Sequence, residues 1–110
     1  MTIGSCLGER VPFGGVTTYS LTKSALLSFT QGLARELGPK DVTVNLVQPG
    51  PIDTDMNPAD GEFAETNRAL TALGRYGTTE EIAAAVVFLA GPGASFITGT
   101  TLTVDGGANA

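Results

Sequence analysis

Histidine and tryptophan are absent from the 110 residues, and cysteine occurs once. Without histidine, no Ser-His-Asp or Cys-His relay and no His-containing zinc site can be assembled within the chain. The lone Cys6 cannot close an internal disulfide, which points to a reducing, cytoplasmic setting. Basic residues are also scarce: 6 Lys plus Arg stand against 11 Asp plus Glu, for a formal charge of −5. No Lys/Arg cluster exists to displace phosphate counterions, and an acidic surface is repelled by anionic lipid. Nucleic acid and membrane are therefore not expected as partners. The longest apolar run, Ile82 to Ala90, is far shorter than the roughly 20 residues needed to span a bilayer. The opening Met1-Thr-Ile-Gly-Ser-Cys has neither the basic start nor the apolar stretch of a signal peptide.

What is present suits a globular chain: 42% hydrophobic and 15% charged residues, enough for one small domain over residues 1–110. Residues 1–5 read as the end of a strand. Gly4, Gly8, Pro12, Gly14 and Gly15 make 4–16 a loop. Leu26, Phe29, Leu33 and Leu37 recur at spacings of three and four, which predicts a helix from Thr17 to Leu37, ended by Gly38-Pro39. Val42 to Gln48 is short and β-branched, with apolar residues on both faces, as in a buried parallel strand stopped at Pro49-Gly50-Pro51. A polar stretch with a short helix near Phe63–Leu73 follows. Thr78 and Glu81 make a capping box before a helix at Glu80–Ala90, ended by Gly91-Pro92. Thr100–Val104 is a last strand, closed by Asp105-Gly106-Gly107. Strands alternating with helices predict an α/β fold: about three parallel strands with crossover helices.

Tyr19 and Lys23 stand four apart at the start of the first helix, so they share a face. An ammonium beside a phenol favours phenolate, lowering a tyrosine pKa from its usual value of about 10 and suiting it to proton transfer at a carbonyl or alcohol. Ser5 follows a strand end, as do Pro49 and Gly50. In open parallel sheets ligands sit beyond the carboxyl ends of strands, so these loops are expected to flank one crevice. The plainer reading of Ser5 is a turn serine bonding its own backbone.

Four motifs occur in order: Ile-Gly-Ser at 3–5, Tyr-x-x-x-Lys at 19–23, Asn-Leu-Val-Gln-Pro-Gly-Pro-Ile-Asp-Thr at 45–54, and Thr-Val-Asp-Gly-Gly at 103–107. Together with Leu73–Ile82 and Phe96–Leu102 they resemble the carboxy-terminal, catalytic half of short-chain dehydrogenase/reductases, over essentially the whole chain. The resemblance implies a truncated Rossmann-like, doubly wound sheet. It implies that Tyr19 is the catalytic acid/base, that Lys23 tunes it and holds the nicotinamide ribose, and that Ser5 orients the substrate carbonyl. It also implies that Pro49, Gly50, Ile52 and Thr54 lie against the nicotinamide of NAD or NADP, and that residues 55–72 are a variable substrate loop. The family's glycine-rich pyrophosphate turn and its Asn-Asn-Ala-Gly strand have no counterpart among these residues. Cofactor contact is therefore expected only at the nicotinamide end.

Three functions follow from these residues. The first is hydride transfer between NAD(P) and a small alcohol or ketone. The second is cofactor-independent carbonyl chemistry, with the Lys23 amine forming a Schiff base and Tyr19 acting as base in a retro-aldolase. The third is an inactive fragment or interaction module. A homo-oligomer, dimer or tetramer, is expected, because the first helix, the last helix and the last strand form subunit contacts in the family.

Overall fold

A computed structural model describes all residues 1–110. It contains three parallel strands in the order β1 (Thr2–Ile3), β2 (Leu46–Pro49), β3 (Thr101–Val104). The pairing aligns Thr2 with Leu46 and Ile3 with Val47 on one side, and Leu46 through Pro49 with Thr101 through Val104 on the other. Between them run α1 (Thr17–Leu37), α2 (Ala64–Leu70) and α3 (Thr79–Ala90). This is the expected class: an open parallel α/β sheet with helical crossovers.

The central strand is shorter than the Val42–Gln48 reading. Val44 gives its amide to the Thr98 hydroxyl at 3.0 Å, so the ladder begins only at Leu46. Asn45, buried at 2% exposure, holds the incoming turn instead: its Nδ2 donates to the Ile97 carbonyl and its Oδ1 accepts from the Thr100 amide. At the other end Pro49, expected to stop the strand, is its last residue. The amides of Leu46 and Gly50 donate towards β3, so by alternation the donor that Pro49 lacks would have faced the side where β1 has already ended.

Val47 packs with Leu89 and Ala94 under α3, and Leu102 and Val104 of β3 extend that core. Leu46 and Gln48 point to the opposite face, both fully buried. α3 starts on the predicted capping box, with Thr78 Oγ1 accepting from the Glu81 amide and Glu81 Oε2 accepting from the Thr78 amide. The end of α1 differs from expectation. Gly38 keeps a right-handed conformation, the chain tightens into a 3-10 turn over Gly38–Lys40, and Asp41 makes the reversal at φ 58°. α2 stops at Leu70, short of Leu73, because the Thr71 hydroxyl donates to the Arg68 carbonyl and accepts from the Arg75 amide.

Candidate active site

The loops leaving β1 and β2 at their carboxyl ends carry Ser5 and the Pro49–Thr54 segment, and the first turns of α1 carry Tyr19 and Lys23 between them. Ser5, Tyr19, Lys23, Pro49, Gly50, Ile52 and Thr54 all border one open crevice of about 560 Å³. Ser5, Tyr19 and Gly50 also border a neighbouring, more apolar cavity of about 330 Å³, whose walls include Phe13, Val16 and Leu70. The serine and tyrosine hydroxyl-bearing residues thus stand on the boundary between two hollows. A third hollow, of about 420 Å³, lies against Arg75, Glu81 and the Thr103–Gly107 segment and touches neither Ser5 nor Tyr19.

Lys23 Nζ donates to the Ile3 carbonyl at 3.2 Å and lies 5.7 Å from the Tyr19 ring centre. An ammonium has three donors, so two remain for a ligand in the crevice, while its charge sits over the tyrosine face. Tyr19 is 46% exposed. Ser5 is buried, and its Oγ accepts from the Leu7 amide at 3.2 Å. The turn-serine role is therefore real, and that bond uses the hydroxyl oxygen as acceptor without using its proton. The next residue, Cys6, is a different matter. Burial above all, then the Asp105 carboxylate, pushes its thiol up from the ordinary value, which disfavours the nucleophilic thiolate.

The last residues close the apolar cavity. Asp105 accepts from the amides of Gly107 and Asn109, Arg10 donates to the Ala108 carbonyl, and Asn109 Nδ2 donates to the Cys6 carbonyl. Sequence reasoning missed this tail as a wall, and it missed Asn57, Asn67 and Tyr76 as well. No motif marks them, because their association is made only by the fold.

A parallel sheet with a crevice past its strand ends, bordered by Ser, Tyr and Lys, defines an α/β protein of the ligand-binding, doubly wound class. The family model described as enoyl-(acyl carrier protein) reductase matches residues 1–109. The chain is 50% identical over 106 residues to the cyclic-di-GMP-binding biofilm dispersal mediator protein of Escherichia coli, covering 96% of this chain and 45% of that protein. It is 46% identical to the 3-oxoacyl-[acyl-carrier-protein] reductase of Vibrio harveyi, covering 97% of this chain and 44% of the reductase. A short-chain dehydrogenase of Burkholderia cenocepacia solved in complex with NADP superposes with a TM-score of 0.97 at 54% identity, over 98% of this chain and 44% of that one. The chain belongs to the short-chain dehydrogenase/reductase family, and it spans less than half the length of these relatives. No helix is long and apolar enough to cross a membrane.

Proposed function

We propose that the chain carries the catalytic half of an oxidoreductase that transfers hydride between NADP(H) and a small carbonyl or alcohol substrate in the cytoplasm. The observation that carries this reading is the crevice where Ser5, Tyr19 and Lys23 meet Pro49, Gly50, Ile52 and Thr54. The donor set fits the nicotinamide end of the cofactor. Ile52 offers an apolar surface for the ring, and Lys23 and Thr54 offer polar groups for ribose and carboxamide. The choice of NADP over NAD rests on the Burkholderia relative, which was solved with NADP.

Held against Ile52, Lys23 and Thr54, NADPH would supply a hydride for the carbonyl carbon, leaving NADP+. The chain's residues supply the rest. Ser5 Oγ donates a hydrogen bond to the carbonyl oxygen and orients it. Tyr19 Oη gives that oxygen its proton, so that C=O becomes CH–OH, and Lys23 stabilises the phenolate left behind. With Tyr19 46% exposed, the phenolate recovers its proton from solvent. The Schiff-base alternative wants an amine wrapped in apolar side chains. Lys23 instead holds the Ile3 carbonyl beside an open crevice, which favours hydride transfer.

NADPH titration followed by nicotinamide fluorescence, with carbonyl reduction read as loss of NADPH absorbance, tests the proposal. We expect binding in the millimolar range or better. Replacement of Tyr19 by Phe should lower the reduction rate at least 100-fold, the low end for a positioned general acid, without changing the melting temperature. Failure of NADPH to bind leaves the chain an interaction module or inactive remnant. Borohydride-trapped Lys23 adducts would instead identify the retro-aldolase.

A further inference from the structure

The two hollows that meet at Ser5 and Tyr19 differ in charge. The crevice that fits the nicotinamide contains Lys23, and the third hollow contains Arg75, Glu81 and Asp105. The cavity of about 330 Å³ has no charged residue in its wall, whose apolar part includes Leu7, Pro12, Phe13, Val16, Met56 and Leu70. Its asparagines are neutral and already bonded. Asn67 Nδ2 donates to Tyr76 Oη at 2.8 Å and to Asn57 Oδ1 at 3.2 Å, and Tyr76 Oη donates to Asn57 Oδ1 at 3.3 Å, closing a ring. Asn109 Nδ2 donates to the Cys6 carbonyl. Arg10 bonds the Ala108 carbonyl and does not border the cavity.

Two further observations bear on what this cavity takes. Phe13 is 40% and Met56 95% exposed, so apolar surface stands in water beside the serine and tyrosine, and a ligand gains by covering it. Cys6, in the same wall, has its thiol pushed up by burial first and then by the Asp105 carboxylate. Low polarity and a nearby negative charge penalise a carboxylate or phosphate placed there in the same way. The volume limits the guest. A cavity of about 150 Å³ holds benzene, so about 330 Å³ takes a ring on a short chain, or an alkyl chain of like bulk.

We propose that the carbonyl substrate carries an uncharged apolar arm, alkyl or aryl, which lies against Phe13, Val16 and Leu70 while its carbonyl stands at Ser5 and Tyr19. The proposal rests on the hydride-transfer reading, which places the reacting carbonyl on the border of the two hollows. An arm leaving that carbonyl away from the nicotinamide enters the uncharged one.

Ligand-observed NMR on the whole chain tests it with methyl ethyl ketone, methyl hexyl ketone, and the hexyl ketone whose terminal methyl is replaced by carboxylate. The last two match in length and differ in charge. We expect methyl hexyl ketone to bind about tenfold more tightly than either of the others, the size of its extra methylenes when half covered. Phe13→Lys puts an ammonium in the cavity wall and should bring the ratio of hexyl to carboxylate ketone to one or below. Phe96→Glu, on a fully exposed side chain outside the cavity, should leave it unchanged. A wild-type ratio of one, which needs no variant, overturns the proposal. So does a ratio that survives Phe13→Lys or is lost in Phe96→Glu. Binding and reduction are read separately. If methyl hexyl ketone binds in a Phe13-dependent way and NADPH is not consumed, the arm's cavity stands and hydride transfer falls. If NADPH reduces the neutral and carboxylate ketones with equal KM, hydride transfer stands and the arm falls.

Discussion

Single residues set how close the strand ends come together. A Cβ on Gly50 would lie 2.6 Å from the Asp105 Cα and 2.8 Å from its carbonyl oxygen. These are backbone atoms, so they cannot swing aside. Gly50→Ala must therefore part β2 from the turn after β3, at a cost of about 1–3 kcal/mol, seen as a lower denaturant midpoint. Gly14→Ala, where the new Cβ meets nothing within 4 Å, serves as the neutral control. Gln48 makes the opposite case. It is fully buried, yet neither its Nε2 nor its Oε1 has a hydrogen-bond partner. A buried unpaired amide costs roughly 1–3 kcal/mol, so Gln48→Met, similar in volume, should raise the melting temperature by several degrees. A fall would mean the amide is paired in solution. Neither behaviour is readable from Pro49-Gly50 or from a lone polar letter in an apolar strand, because both depend on what the fold brings against them.

At the scale of elements, α3 is the one whose start was fully legible. The Thr-x-x-Glu pattern predicts reciprocal bonds, and both form. Only the structure adds Arg75, which reaches Glu81 from outside the helix with two hydrogen bonds, Nη1 at 2.9 Å and Nη2 at 2.6 Å. Chiefly through the Arg75 hydrogen bonds, then the Thr78 amide, the Glu81 carboxyl is lowered to about 2 from 4.5. A carboxyl depressed in the folded state stabilises the fold above its unfolded value and loses that contribution as it is protonated. The loss should therefore fall between about pH 4.5 and pH 2. Melting curves across that window should show a steeper acid limb for the wild type than for Glu81→Gln, whose limb should be flatter. Thr78→Ala removes the other half of the box and should cost about 1 kcal/mol. α1 was legible as a helix but not in its packing. Its apolar repeat suggests a buried stripe, yet its buried residues are Ser20, Thr30 and Ala34, while Phe29 stays half exposed.

The whole molecule has more surface than a self-contained protein of its size. Its accessible area is 6740 Å², against about 5700 Å² expected for a monomer of this mass. Its radius of gyration is 14.7 Å, against about 13 Å for a compact domain of this length. Only 18 of 110 residues are buried, too few to leave much stability in the chain alone. The exposed apolar side chains include Leu21 and Phe29 on α1 and Val87, Phe88 and Phe96 on and after α3. These are the two elements that the family resemblance places in subunit contacts. We therefore expect self-association, so that light scattering at micromolar concentration gives a multiple of 11.2 kDa. Replacing Phe88 and Phe96 together with Glu should lower that mass. A wild-type mass of one chain would refute the expectation.

The sequence by itself determined the order of elements, the parallel sheet, the capping box and the candidate Ser5, Tyr19 and Lys23. Each is either local, written within a turn or two of chain, or a run of residues distinctive enough to mark its family. What tertiary structure alone decided is everything made across the chain. It shortened β2 by giving the Val44 amide to Thr98. It set Ser5 and Tyr19 on the border of two hollows, and it built the Asn57–Asn67–Tyr76 ring from an extended loop, a helix and the turn beyond it. Hydrogen bonds between residues from 9 to 103 positions apart leave no periodicity and no spacing rule in the chain, so they become visible only once the backbone has brought their partners together.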